Sequence, residues 1–252
     1  KGPMVRSVVQ RALALLRGED SAIVANKLAY HIKAMPYDYG FENLFNGTDL
    51  TGWKGLVANP IARSKMSAQQ LMEAGAKADA TIKSDWVVKD GLLVFTGHGD
   101  NLCTQKQYGD FELFVDWKIT EKGDAGIYLR GTPQVQIWDT SRREVGAQVG
   151  SGGLYNNQKN QRHPLAVADN KIGSWNTFHI IMRGAVVTVY LNGVLVTDKV
   201  VLENYWDRTL PIFVKEQIEL QAHGTYVAYR NIYIRELPSN LPNALSDFEK
   251  QQ

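Results

Sequence analysis

Asn192-Gly193 stands between two strand-like runs, 186–191 and 194–196, and an Asn-Gly pair in that setting closes a two-residue hairpin with a type I′ turn. A chain written this way is committed there to antiparallel pairing, because parallel neighbours need a crossover of a dozen or more residues. Asp90-Gly91 repeats the signal between 86–88 and 92–96. Between the two hairpins, 111–119 alternates cleanly, with Phe111, Leu113, Val115, Trp117 and Ile119 on one face. Further runs at 126–139, 175–182, 218–222 and 227–234 bring the total to about a dozen short strands. Joined mostly by hairpins, they are expected to make a mainly β chain, an antiparallel two-sheet sandwich of jelly-roll type.

Helical signals are confined to two places. Val5, Val8, Val9, Ala12, Leu13, Leu15 and Leu16 recur at near-3.6 spacing, Gly18 stops them, and 21–35 carries a second stripe through Ile23, Val24, Leu28 and Ile32. This N-terminal helical hairpin is expected either to cap the β domain from outside or to belong to an upstream helical domain. Ser67 and Gln70 have the form of a capping box, opening an inserted helix through about Lys77. The division expected is a helical segment at 1–38, the sandwich at 39–238 and a polar tail at 239–252.

Several function classes lose their footing at once. The net charge is +2 and no Lys/Arg cluster stands out, so no nucleic-acid partner is expected. No apolar run approaches 18 residues, so no membrane-spanning helix is expected. Cys103 is the single cysteine, which rules out a disulfide within the chain and a thiolate metal cage. Gly150-Ser-Gly-Gly153 lacks the Lys-Ser/Thr and the following helix of a phosphate loop, and neither Gly-x-Ser-x-Gly nor His-Glu-x-x-His occurs. The long stretch from Gly150 through Pro164 has no strand pattern, and loops of that length in compact domains tend to be functional.

The chemistry is expected on the hairpin 126–139, GIYLRGTPQVQIWD. Alternation puts Ile127, Leu129, Val135 and Ile137 on one face and Tyr128, Arg130, Gln134, Gln136 and Trp138 on the other. Planar donors beside flat rings suit a sugar, with hydroxyls round its edge and C–H groups on its faces, although a solvated aromatic sheet face would read the same. A second cluster lies at 218–223, where Glu219, Gln221 and His223 share one side of a strand along about 13 Å. A carboxylate and an imidazole there could work as base and acid or as ligands for a divalent cation. Asp139, ending the hairpin, is a further acid. His31, His98 and His179 are isolated and read as structural. Arg130, Gln136, Gln221 and His223 are expected to line one concave floor.

The segments FENLFNGTDLTGWKG (41–55), WVVKDGLLVF (86–95), GDFELFVDWKI (109–119), GDAGIYLRG (123–131), VQIWD (135–139), WNTFHI (175–180), YLNGVLV (190–196), IELQAHG (218–224) and YRNIYIREL (229–237) together resemble the 3-keto-disaccharide hydrolase family, and follow its order. The resemblance covers nearly everything from Phe41 to Leu237 and leaves residues 1–38 outside. It implies a concanavalin-A-like jelly roll and a glycosidase-like enzyme acting on a carbohydrate substrate oxidised at C3. The glycosidic bond would leave by elimination, water would add, and a divalent cation is allowed but not demanded. Arg130, Asp139, Glu219 and His223 would be the catalytic set, with Arg130 on the enolate oxygen, His223 as base or metal ligand, and Glu219 or Asp139 orienting it or completing a cation site. Tyr128, Gln134, Gln136, Trp138 and Gln221 would bind substrate. Many relatives carry Glu where this chain has Gln134. The resemblance also implies a periplasmic or secreted location. A non-catalytic carbohydrate-binding module is the other expectation these residues support.

Overall fold

The computed structural model describes residues 40–238. The expected helical hairpin at 1–35 and the tail at 239–252 lie outside the described residues. Thirteen strands occur among them: β1 (Glu42–Asn43), β2 (Trp53–Gly55), β3 (Trp86–Lys89), β4 (Leu92–Phe95), β5 (Leu102–Thr104), β6 (Phe111–Ile119), β7 (Asp124–Leu129), β8 (Thr132–Trp138), β9 (Asn176–Arg183), β10 (Val186–Leu191), β11 (Val194–Val201), β12 (Glu219–Leu220) and β13 (Val227–Glu236). They form two antiparallel sheets. One runs β11-β10-β9-β6-β13-β4-β3, with β1 also on β13; the other runs β2-β5-β12-β7-β8.

The two sheets close on one core. Phe111, Leu113, Val115, Trp117 and Ile119 of β6 meet Ile127, Leu129, Val135 and Ile137 of the opposite sheet, all of them buried. This is the face that alternation assigned, and it makes a two-sheet sandwich of jelly-roll type. Asp90-Gly91 and Asn192-Gly193 both sit at positive φ, as a type I′ turn requires, and close β3–β4 and β10–β11. The reverse face of β6 is not wet. Glu112 there bonds His179 at 2.7 Å and also Arg235, while Asp116 takes Thr177, Arg230 and Asn231. His179 is further clamped by the ring of Phe114, 4.1 Å away and nearly parallel.

Two helices interrupt the strands: α1 (Pro60–Ser64) and α2 (Ala68–Asp85). The capping box is formed as expected, with Gln70 N donating to Ser67 Oγ and Ser67 N donating to Gln70 Oε1. The helix then continues two turns past Lys77. Its last turns pack on β2, so tertiary contact extends what propensity alone would end. Gly55 makes that contact possible: a Cβ there would stand 2.5 Å from the backbone of Ala78, and its N–H donates to Asp79. No helix among the described residues is long and apolar enough to cross a membrane.

Candidate functional site

The outer face of the five-stranded sheet is polar and covered. Strand register sets Lys54, Cys103, Glu219 and Tyr128 side by side across β2, β5, β12 and β7. The next rank holds Gln221, whose N–H donates to Gly126 O, then Gly126 itself and Gln136. Asn101 links the ranks: its Oδ1 accepts from Ala222 N and its Nδ2 donates to Glu219 Oε2 at 3.3 Å.

Glu219 is the centre of this arrangement. It is 1% exposed, and its other oxygen, Oε1, has no partner. Burial pushes its pKa up to about 7, against the opposing pull of the Arg63 guanidinium and the Asn101 hydrogen bond. The surrounding side chains repeat the pattern of unmet capacity. Gln221 donates Nε2 to Tyr128 Oη at 3.4 Å, yet its Oε1 is unpartnered. Gln134 donates Nε2 to Gln136 Oε1 at 2.5 Å, and its own Oε1 is also unpartnered. Gln136 in turn donates to Asp124 at 2.8 Å. Gln134 lies across Gly126, where any Cβ would meet its amide carbon at 2.7 Å. Burial pushes the Tyr128 phenol up to about 12, so it remains a protonated donor at neutral pH. Buried oxygens without partners are costly, and three on one face mark where a ligand's donors would be satisfied.

Other expected site residues fall elsewhere, each for a local reason. Arg130 was expected on this face, but it sits with Gly131 at the β7–β8 turn, at φ 49, and the strand alternation ends before it. Its guanidinium bonds Gly109 O, Phe213 O and Asp110, the last an ion pair at 2.5 Å. His223 lies beyond the other end of β7, more than half exposed, with Nδ1 3.8 Å from Asp124 Oδ2. Strand rise separates Asp124, beside His223, from Leu129, beside Arg130, by roughly 16 Å along β7, so His223 and Arg130 stand at opposite ends of that strand. Asp139 holds a turn: it accepts from Lys122 N and Ser141 N. Burial acts to raise its pKa, but the N–H groups of Ser141 and Lys122 outweigh it and leave the carboxyl below its ordinary value, which makes a poor base. Trp138 is buried with its indole N–H on Gly150 O, rather than presented as a platform.

Three residues that strand-pattern reasoning passed over belong here. Asp124 shares the parity of Gly126 and Tyr128 and could have been found that way; it also pairs with Arg142 at 3.1 Å. Asn101 and Arg63 lie outside any regular pattern, and only the folded chain brings them in. Among the described residues, no group of three or more His, Cys, Asp or Glu is placed to hold a metal ion.

Comparison with known proteins follows this geometry. Residues 40–235 match the model of a family described as a 3-keto-alpha-glucoside-1,2-lyase-like domain. A 3-keto-disaccharide hydrolase of Bacteroides thetaiotaomicron is 24% identical over 98 residues, which is 35% of this chain. The matched stretch spans only 27% of that protein's length. A provisionally assigned glycosyl hydrolase from Parabacteroides distasonis superposes with a TM-score of 0.58 at 26% identity, over 79% of this chain and 84% of its own. A second from the same organism gives 0.59 at 23%, covering 79% and 94%, and agrees in fold.

Proposed function

Since the chain belongs to the 3-keto-alpha-glucoside-1,2-lyase-like family, we propose that it cleaves glycosides whose sugar carries a ketone at C3, by elimination followed by addition of water. The observation that carries this is Glu219: a carboxyl 1% exposed on the polar face, with one oxygen free and its pKa pushed by burial up to about 7. A ketone at C3 acidifies the proton on C2, and a base of that kind is matched to taking it. Glu219 Oε1 accepts the C2 proton, and the electron pair passes into an enolate with its charge on the C3 oxygen. Its collapse forms the C1=C2 bond and breaks C1–O, and the departing oxygen leaves as an alcohol after taking up a proton. Tyr128, a protonated donor on the same face, would support that oxygen. Water then adds at C1 and a proton returns to C2, so the net change is hydrolysis. The free carbonyl oxygens of Gln221 and Gln134 would receive sugar hydroxyls.

Ordinary glycosidases need two working carboxyl groups across the bond. Here the neighbours of Glu219 on the face are Cys103, Tyr128, Asn101 and Gln221; the nearby Glu216 is occupied by Arg63, and Asp124 by Gln136 and Arg142. The test is turnover of a 3-keto-glucoside and of its unoxidised parent, run in heavy water. The keto substrate alone should be cleaved, with deuterium entering at C2, and Glu219→Gln should lose both signals by about 10²-fold or more. Equal cleavage of the parent, or an unaffected Glu219→Gln protein, would refute the proposal.

A further inference from the structure

Glu219 is buried, and one piece of chain is anchored to several segments around it. Residues 56–66 leave β2 and run from its end to the β7–β8 turn and Glu216. Leu56 N donates to the carbonyl of Asn101, the residue whose side chain touches Glu219. Pro60 then packs on Gly131 at the β7–β8 turn, so closely that a Cβ there would stand 2.6 Å from its ring. Finally Arg63 pairs with Glu216 at 2.9 Å, three residues before Glu219, both side chains largely buried. Local chemistry shapes the crossing: Asn59 caps α1 through Ala62 N, and Ala58 is held at φ 48, a conformation non-glycine residues avoid. Such strain persists only where the surroundings impose it, and it gathers at ligand clamps.

Building on the function proposed above, we propose that residues 56–66 are a strap over the site and that Arg63 on this strap is the residue facing the enolate oxygen at C3. The elimination moves a negative charge from Glu219 to the substrate, and a positive group must face that oxygen. Arg130 is spent on Asp110 and the carbonyls of Gly109 and Phe213. Arg63 is held at Glu216, three residues before Glu219 in the chain. Three of its donor bonds are made, to Val57 O, Ala58 O and Glu216, which leaves two of the five N–H groups of a guanidinium for an anion. Its charge already reaches Glu219, where it opposes the effect of burial. Glu216 keeps it in place while no anion is present. Entry of substrate requires the strap to lift, since Glu219 Oε1 meets no solvent with it down.

The experiment uses the whole chain with Arg63→Met, Arg63→Lys and Glu216→Gln, each checked for folding by circular dichroism. With a 3-keto-glucoside, Arg63→Met should lower kcat by about 10²-fold with KM much less affected, as for loss of an oxyanion donor. Its pH–rate midpoint should move upward, because a cation favouring ionised Glu219 is gone, and Arg63→Lys should recover part of both. Hydrogen exchange across 56–66 should quicken in Arg63→Met and in Glu216→Gln, while Glu216→Gln keeps kcat far nearer the wild type. Wild-type kcat and midpoint in folded Arg63→Met would overturn the oxyanion role. Unchanged exchange in both variants would overturn the strap. A wild-type chain inert toward every 3-keto-glycoside would instead sink the proposed function and the oxyanion role with it, leaving exchange to decide the strap.

Discussion

Glu219 should make this protein less stable as the pH rises through neutrality, and Glu219→Gln should remove the effect. Its carboxyl is moved by burial from 4.5 to about 7. Below pH 4.5 the group is protonated whether the chain is folded or not, and it contributes nothing. Between 4.5 and 7 the unfolded chain releases the proton and the folded one keeps it, so stability falls with increasing pH. Above about 7 both states are ionised and the loss is complete. At 1.36 kcal/mol per pH unit the loss is about 3 kcal/mol, a sizeable part of the total stability of a domain. Glutamine keeps the shape of the neutral acid and can still accept from Asn101. The assay is urea unfolding of wild type and Glu219→Gln at several pH values between 4 and 9. Titrations of distant groups cancel in the difference between the two proteins. The variant should match the wild type near pH 4.5 and exceed it by about 2–3 kcal/mol at pH 9. Parallel pH curves for the two proteins would show that Glu219 ionises in the fold as it does in water, and the case for it as a base poised near neutrality would go.

Arg130→Met should act on stability and not on chemistry. It strands Asp110 in a buried position, which typically costs 3–5 kcal/mol, while the pH–rate midpoint stays at its wild-type value; a displaced midpoint in folded protein would return Arg130 to the site. Glu203 accepts from the successive N–H groups of Gln158, Lys159 and Asn160 and pairs with Arg208. Although burial acts to raise its pKa, those bonds win and hold it below 4.5, so the stability it lends is present above that pH and lost as acid protonates it. Glu203→Gln should cost about 1–3 kcal/mol and quicken amide exchange at 158–160, with the difference from wild type vanishing in acid; a difference that persisted in acid would refute it.

The local grammar of this chain was legible without its fold. Asp90-Gly91 and Asn192-Gly193 close their hairpins because φ beyond zero is a property of the residues themselves. The period-two pattern of β6, β7 and β8 assigned the core face correctly, since one strand's alternation decides which side is apolar. It also set Tyr128, Gln136, Glu219 and Gln221 on the outer side. What it could not supply was partners. Arg130 has the right parity, but it meets Asp110 and Phe213 across the molecule at a turn where alternation stops. His223 follows β12 after only two ladder residues, Glu219 and Leu220, and emerges into solvent. Asp139 looks like a free acid in sequence and is consumed by the N–H groups of its own turn. The decisive property of Glu219, its displaced pKa, is written nowhere near it: burial raises it, and Asn101 and Arg63, more than a hundred residues away in sequence, only oppose that rise. Strand faces follow from covalent geometry one residue at a time, whereas desolvation and pairing depend on which distant segments pack on the same spot, and only the closed sandwich decides that.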